Sequence, residues 1–333
     1  MKLIYSPLHK KHIPPYEIFN GEKEPHQEVP ARAENIKSAL EKQLGLKTQP
    51  PKDFDLNLLK NIHAPDYLQY LQSFKNEPYE YPSVFQYGEK HGIPQHPVAQ
   101  RGYYVFDLYT PLNSYVYTAA KTSALLALTA ADLVLHGESY AYALCRPPGH
   151  HAEIAQAGGY CYINNAAASA EYLRQHGAKK VATLDVDIHH GNGTQHIFYQ
   201  RSDVLTVSLH AAPDVLFPYF SGGDNEYGQG RGEGFNVNFP LPAKTGNRAF
   251  HKTLAKALQK IADFKPDYLV VSIGYDTHEA DPIGVFSLTT AYYEQMTKAI
   301  QSLQLPTVIV QEGGYNTKKL GDNAVSFVKG FIA

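Results

Sequence analysis

Five short runs rich in β-branched and other apolar residues, at 140–145, 180–185, 204–209, 268–273 and 307–311, alternate with stretches whose apolar side chains recur at helical spacing. Consecutive parallel strands can be joined only by a connection long enough to cross back over the sheet, and a helix makes that crossing while satisfying its own backbone. Helical patterns at 164–176, 248–262 and 290–303 fall between the runs, and two more, at 31–44 and 65–74, lie ahead of them. An α/β fold with a central parallel β-sheet flanked by helices follows. No repeat or linker-like shift in composition divides residues 1–333, so a single domain is expected.

One segment does not fit an ordinary connection. Residues 76–117 are rich in Tyr, Pro and Gly without clear periodicity; a loop of this length in a compact domain is usually functional or disordered, and its tyrosines favour an ordered contact surface. Residues 118–135 form the most apolar helical run, but Lys121, Asp132 and many small side chains mark it as a buried core helix and not a membrane span. The formal charge of -2 argues against a nucleic-acid surface of massed Lys and Arg. The first twelve residues hold only Leu3-Ile4-Tyr5 as an apolar stretch, too short for a signal-peptide core. Cys145 and Cys161 are the two cysteines and form no C-x-x-C pair, so a disulfide framework is not expected, and the cytoplasm is the expected compartment.

In open α/β sheets ligands collect beyond the carboxyl ends of the strands. Here those ends read R-P-P-G-H-H (146–151), D-V-D-I-H-H-G-N-G-T (185–194), S-L-H (208–210), Y-D (275–276) and E-G-G-Y (312–315), which would bring His, Asp and Tyr to one rim. Along Asp185-Val186-Asp187-Ile188-His189 polar residues alternate with apolar ones, so a strand-like continuation points all three polar groups the same way. Two carboxylates and an imidazole in one place call for a cation, and mixed O and N ligands suit zinc or a similar divalent ion. Asp276 is the best-placed third ligand, although taken alone it reads more readily as a helix N-cap. His150 and His151 offer a base and an acid in one small space, against the alternative of a paired surface histidine. Tyr315 places a phenol on a glycine hinge, where it can donate to a developing oxyanion. Tyr160 and Phe217 are candidate walls of a substrate channel, or plain core aromatics.

Together these motifs, with G-G-Y-C-Y-I-N-N at 158–165 and Y-D-x-x-x-x-D-P at 275–282, resemble the histone deacetylase superfamily, and within it bacterial acetylpolyamine amidohydrolases and histone deacetylase-like amidohydrolases. The resemblance implies a three-layer arginase/deacetylase fold, with zinc, or iron or cobalt in its place, held by Asp187, His189 and Asp276. It implies His151 as general base, His150 as its electrostatic partner and Tyr315 as the group that binds the carbonyl oxygen. Tyr160, Phe217 and Gly159 would line the acyl-amine tunnel, Asp185 would pair with His150, and Asn192 with His151. Relatives hold structural potassium near residues corresponding to Asp185, Asp187, His189, Ser208 and Leu209, and a second ion near Phe198, Arg201, Val204 and Phe235.

The 76–117 loop corresponds to one that builds a homodimer and narrows the entrance in acetylpolyamine amidohydrolases. Two departures bear on substrate. In Phe106-Asp107-Leu108-Tyr109, Asp107 is available as the acid expected to meet a distant ammonium while Tyr109 stands where an acid could be, and Ile283 is not the acidic gatekeeper of some polyamine-selective relatives. The resemblance therefore implies a zinc-dependent deacetylase of acetylated polyamines or related acylamines, with an acetyl-lysine protein deacetylase as the alternative and a non-catalytic acylamine-binding protein as a remote one. An arginase-like dimanganese enzyme would need further carboxylates near Asp276, which Thr277-His278-Glu279-Ala280 supplies poorly.

Overall fold

The computed structural model describes residues 1–85 and 92–332. Eight strands form one sheet: β1 (Lys2–Ile4), β4 (Thr48–Gln49), β5 (Tyr140–Ala143), β6 (Val181–Asp185), β7 (Val204–Ala211), β8 (Asn236–Leu241), β9 (Tyr268–Ile273) and β10 (Thr307–Gln311). All neighbours are parallel, in the order β4-β1-β5-β10-β9-β6-β7-β8. A separate antiparallel hairpin joins β2 (Glu17–Phe19) to β3 (Glu22–Glu24).

The side-chain alternation of β9 shows why its run reads as continuously apolar. Leu269, Val271 and Ile273 enter one core, while Val270 enters the other. A parallel sheet covered on both faces has no solvent side to demand polar residues. The first core is closed by α1 (Ala31–Leu44), α7 (Asn247–Phe264), α8 (Thr290–Gln301) and α9 (Leu320–Ile332), through residues such as Ile36, Leu254, Tyr293 and Phe327. The second core is closed by α2 (Pro65–Ser73), α4 (Val116–Leu135), α5 (Asn165–Gln175) and α6 (Asn192–Phe198). Helix α4 is long and apolar enough to cross a membrane, but most of it is buried in this second core.

The five expected strands and the six expected helical runs are all present, to within a few residues at their ends. Strands β1, β4 and β8 were not expected. The first two are very short, and β8 carries Asn236, Asn238 and Pro240, which break an apolar pattern. Pro240 is tolerated because β8 is the edge strand. The 76–117 segment contains a further helix, α3 (Pro97–Tyr104), which buries only its last three residues, Gly102, Tyr103 and Tyr104, and so shows no helical spacing of apolar side chains; residues 86–91 of that segment lie outside the described residues.

Candidate active site

The loops that follow β5, β6, β9 and β10 supply the chemistry, and those four strands are adjacent in the sheet. Strand β6 itself stops at Asp185. Beyond it the chain turns tightly, with Asp185 Oδ1 accepting from Asp187 N at 3.0 Å and Asp187 Oδ1 from His189 N at 2.9 Å. Val186 and Ile188 stay in the first core, so the polar residues between them are directed away from it.

Oxygens of Asp187 and Asp276 and a nitrogen of His189 lie within 4.8 Å of one another, all buried. His189 Nδ1 is 3.1 Å from Asp187 Oδ1 and 3.3 Å from Asp276 Oδ2. Asp276 Oδ2 has no hydrogen-bond partner among the described residues. Burial, and then the Asp187 charge, push the Asp276 carboxyl up, which records the cost of two acids sharing a dry site. Burial also disfavours a proton on His189, yet its hydrogen bond to Asp187 and the nearby Asp276 carboxylate outweigh that and raise its pKa to about 9. A divalent cation held by these residues would take the place of this proton and would satisfy the orphaned oxygen and both carboxylate charges. The backbone leaves room for it: a Cβ at Gly313 would stand 2.0 Å from Asp276 Oδ2 and 2.6 Å from Asp187 Oδ2. The donor set, the orphaned atom and the glycine cradle all fit zinc or a related ion.

Two histidines stand beside this cluster, with ring centroids 4.0 Å apart. They are set to opposite charge states. His150 Nδ1 meets Asp185 Oδ2 at 2.9 Å; burial opposes its charge, but Asp185 and Asp187 outweigh burial and raise its pKa to about 10. His151 Nδ1 meets the neutral Asn192 Oδ1 at 2.7 Å, and burial followed by the charges of His150 and His189 holds its pKa well below the ordinary value. Asn192 Nδ2 donates to Glu153 Oε1 at 2.8 Å, which fixes the amide so that Oδ1 faces the ring. His151 therefore keeps its proton on Nδ1 and leaves Nε2 unprotonated. Gly159, at φ +55°, passes so near that a Cβ would lie 2.2 Å from His151 Cδ2.

His151, His189, Tyr315, Tyr160, Phe217, Gly159 and Ile283 line one cavity of about 470 Å³. His150 is not among its lining residues. Phe217 stands edge-on to His151 with centroids 4.9 Å apart, and Tyr160 lies 5.7 Å from Tyr315. Tyr315 is held by contacts that the motif alone did not reveal. Its N–H donates to Asp281 Oδ2 at 2.7 Å, and the Arg32 guanidinium lies 4.7 Å from its ring centre. Arg32 also donates to Gly314 O at 2.5 Å and to Glu312 O at 2.7 Å. Burial keeps the Tyr315 phenol protonated by raising its pKa well above the usual value.

Arg32 is anchored in turn by Glu28, which is fully buried between it, at 2.6 Å, and Arg146, at 2.8 Å. Burial opposes ionisation of Glu28, but Arg146 and Arg32 prevail and hold it at about 2, below the ordinary 4.5. Its stabilising contribution is thus complete above pH 4.5 and is lost as pH falls towards 2. Replacing Glu28 by Ala leaves two buried guanidinium groups without their carboxylate, and we expect a loss of roughly 3–5 kcal/mol in urea-unfolding experiments at neutral pH. A loss below about 1 kcal/mol would show that these charges are compensated from elsewhere.

One expectation needs correction. Asp107 does not face the cavity: Oδ1 accepts from Tyr109 N and Thr110 N, both at 3.0 Å, and Oδ2 accepts from Gly159 N. Three backbone amides fix this carboxylate inside the loop, where it braces the turn that carries Tyr160. The acids that do line the cavity are Glu17 and Glu24 of the β2–β3 hairpin, joined by Gln27 and Tyr109. Nothing in the E-I-F and E-K-E runs marked them, because two three-residue runs with charged side chains read in sequence like any solvated turn, although Glu17 is buried. Among the residues named for potassium, Ser208 pairs in register with Asp185, and Ser208 Oγ bonds to His210 Nδ1 at 2.8 Å. Of the second set, Arg201 N donates to Phe198 O at 2.9 Å, Val204 opens β7, and Phe235 O accepts from Thr206 N at 3.0 Å.

Comparison with known proteins places this arrangement. The histone deacetylase domain profile matches residues 26–331. Acetylpolyamine amidohydrolase 1 of Pseudomonas aeruginosa is 39% identical across 99% of both chains. The acetylpolyamine amidohydrolase of Burkholderia pseudomallei is 40% identical across 100% of this chain and 99% of its own. A crystal structure of the acetylpolyamine aminohydrolase from Burkholderia pseudomallei aligns with a TM-score of 0.96 at 38% identity, covering 100% of this chain and 99% of that one. The likeness spans the whole length of the chain, in sequence and in fold, and on that ground this chain belongs to the histone deacetylase family as one of its amidohydrolases.

Proposed function

We propose that the chain is a zinc-dependent deacetylase that hydrolyses the amide of N-acetylated polyamines or related acylamines. The observation that carries this reading is the Asp187–His189–Asp276 cluster beside a cavity that also receives His151 and Tyr315. The full-length similarity to acetylpolyamine amidohydrolases supports the substrate class.

A divalent ion held by Asp187, His189 and Asp276 supplies Lewis-acid polarisation and a lowered pKa for water. The chain's own groups do the rest. His151, neutral and with Nε2 free, takes a proton from the attacking water and returns it to the departing amine nitrogen. His150, paired with Asp185, keeps a positive charge near the reacting centre without lining the cavity. The Tyr315 hydroxyl donates to the carbonyl oxygen as negative charge develops there. Tyr160 and Phe217 hold the linear acylamine between aromatic surfaces. We place structural potassium at the Asp185 and Phe198 groups, a homodimer contact on the 76–117 segment, and the protein in the cytoplasm.

The test is turnover of N-acetyl-1,4-diaminobutane and of an acetyl-lysine peptide by purified protein, before and after chelation and after adding back zinc. We expect loss on chelation and recovery with zinc. Turnover indifferent to chelator would defeat the metal reading, and a preference for the peptide would move the substrate to acetylated protein.

A further inference from the structure

We infer that Glu312 is a positioning residue for the reaction: by its reach, and not by its charge, it clamps the loop that carries His150 and His151 at a fixed spacing from the metal-ligating carboxylates. This rests on the deacetylase reading and deepens it. Glu312 is fully buried just past the end of β10, where its N–H donates to Ile273 O of β9 at 2.8 Å. Its side chain turns to the loop that follows the neighbouring strand β5. Oε2 accepts from Gly149 N at 2.7 Å and from His150 N at 3.1 Å, and Oε1 accepts from the Ser272 hydroxyl at 3.2 Å. All three donors are neutral.

A second ion is the competing reading. Ligand-type atoms of Glu312, His150 and Cys161 lie within 4.8 Å of one another, as those of Asp187, His189 and Asp276 do. Both Glu312 oxygens, however, already serve donors, and His150 Nδ1 is taken by Asp185, whereas Asp276 Oδ2 has no partner among the described residues. A carboxylate so occupied braces the backbone.

The loop is held from other sides as well. Pro147 O accepts from the Ser123 hydroxyl at 2.7 Å and from Asn165 Nδ2 at 3.2 Å, and Gly149 is pressed so close to α5 that a Cβ would stand 2.4 Å from Asn165 N. Without the carboxylate, two buried backbone donors lose their acceptor, and the loop must shift to satisfy them. Both imidazoles move with it, because His150 and His151 follow directly on the clamped amides. On the other side, Gly313 N donates to Asp187 Oδ2 at 2.8 Å, and Glu312 O accepts from Arg32, whose guanidinium lies against the Tyr315 ring. One residue thus ties the base, a metal ligand and the phenol together, and a misplacement of about 1 Å among such groups costs about 10²-fold in rate.

The experiment sets reach against charge, with zinc-loaded enzyme and N-acetyl-1,4-diaminobutane. E312Q keeps the length and can offer its one oxygen to both amides and its NH2 to Ser272 Oγ. E312D keeps the charge and withdraws it by one methylene. In E312D kcat should fall by about tenfold to 10²-fold, with KM within about twofold and zinc content unchanged. E312Q should keep kcat within about threefold. By deuterium exchange, the segment 146–152 should open faster in E312D than in the wild type, and at the wild-type rate in E312Q. Wild-type kcat in E312D, or a loss in E312Q as deep as in E312D, overturns the inference. So does loss of zinc from E312D, which would place the effect at Asp187. Should E312D not fold, E312Q decides, and a loss of kcat of about tenfold or more there overturns it. A wild type that turns over no acylamine would instead sink the deacetylase reading, and the exchange comparison would still test the clamp.

Discussion

Asp276→Ala will leave the protein metal-poor and almost without turnover. Loss of a group that merely supports a ligand costs about 10–100-fold in metal affinity, so loss of a ligand itself will exceed ~100-fold. Elemental analysis after gel filtration measures this directly. The same substitution has offsetting effects in the metal-free protein: it removes a carboxyl that burial and Asp187 disfavour and whose Oδ2 lacks a partner, and it leaves Ile188 N without the acceptor that Oδ1 provides at 3.2 Å. In excess chelator the thermal midpoint of the variant should therefore stay close to that of the wild type, whereas with zinc present the wild type should be clearly the more stable, since only it gains the binding free energy. Full metal content with unimpaired turnover would remove Asp276 from the site. A collapse of stability in chelator would instead make it a structural residue.

Tyr315→Phe removes one hydroxyl and little else. The ring keeps its Arg32 and Tyr160 neighbours, and the backbone keeps its bond from Tyr315 N to Asp281. If the hydroxyl donates to a developing oxyanion, its loss costs about 10²–10³ in kcat, or ~2.7–4 kcal/mol, with little change in KM and none in metal content. That split matters, because a binding role moves KM while a misplaced loop moves metal content as well. Unchanged kcat would assign the oxyanion contact to another donor.

How far the sequence reached differs from element to element. The five central strand runs were legible because both faces of the sheet are covered, so β9 and β10 carry consecutive apolar residues, Leu269 to Val271 and Val308 to Val310, that point into both cores. The pairings of Asp185 with His150 and Asn192 with His151 were implied by the family resemblance and are present at 2.9 and 2.7 Å. Edge strand β8 was hidden by its asparagines, and α3 by the aromatic density of its surroundings. Asp107 was misplaced because a loop acid near an entrance looks the same on paper whether it faces the ligand or caps its own backbone amides.

What the sequence determined by itself is local and chemical: which side chains sit at the ends of strands, and that two acids and an imidazole at alternate positions would ask for a cation. What only the tertiary structure decided is which distant segments share the cavity. Glu17, Glu28 and Arg32 reach the site from far along the chain, Arg32 spanning 282 residues to Gly314. Periodicity reports the environment of a residue's own element, and it holds no record of the partner that the packing of the sheet and its two helical layers brings alongside.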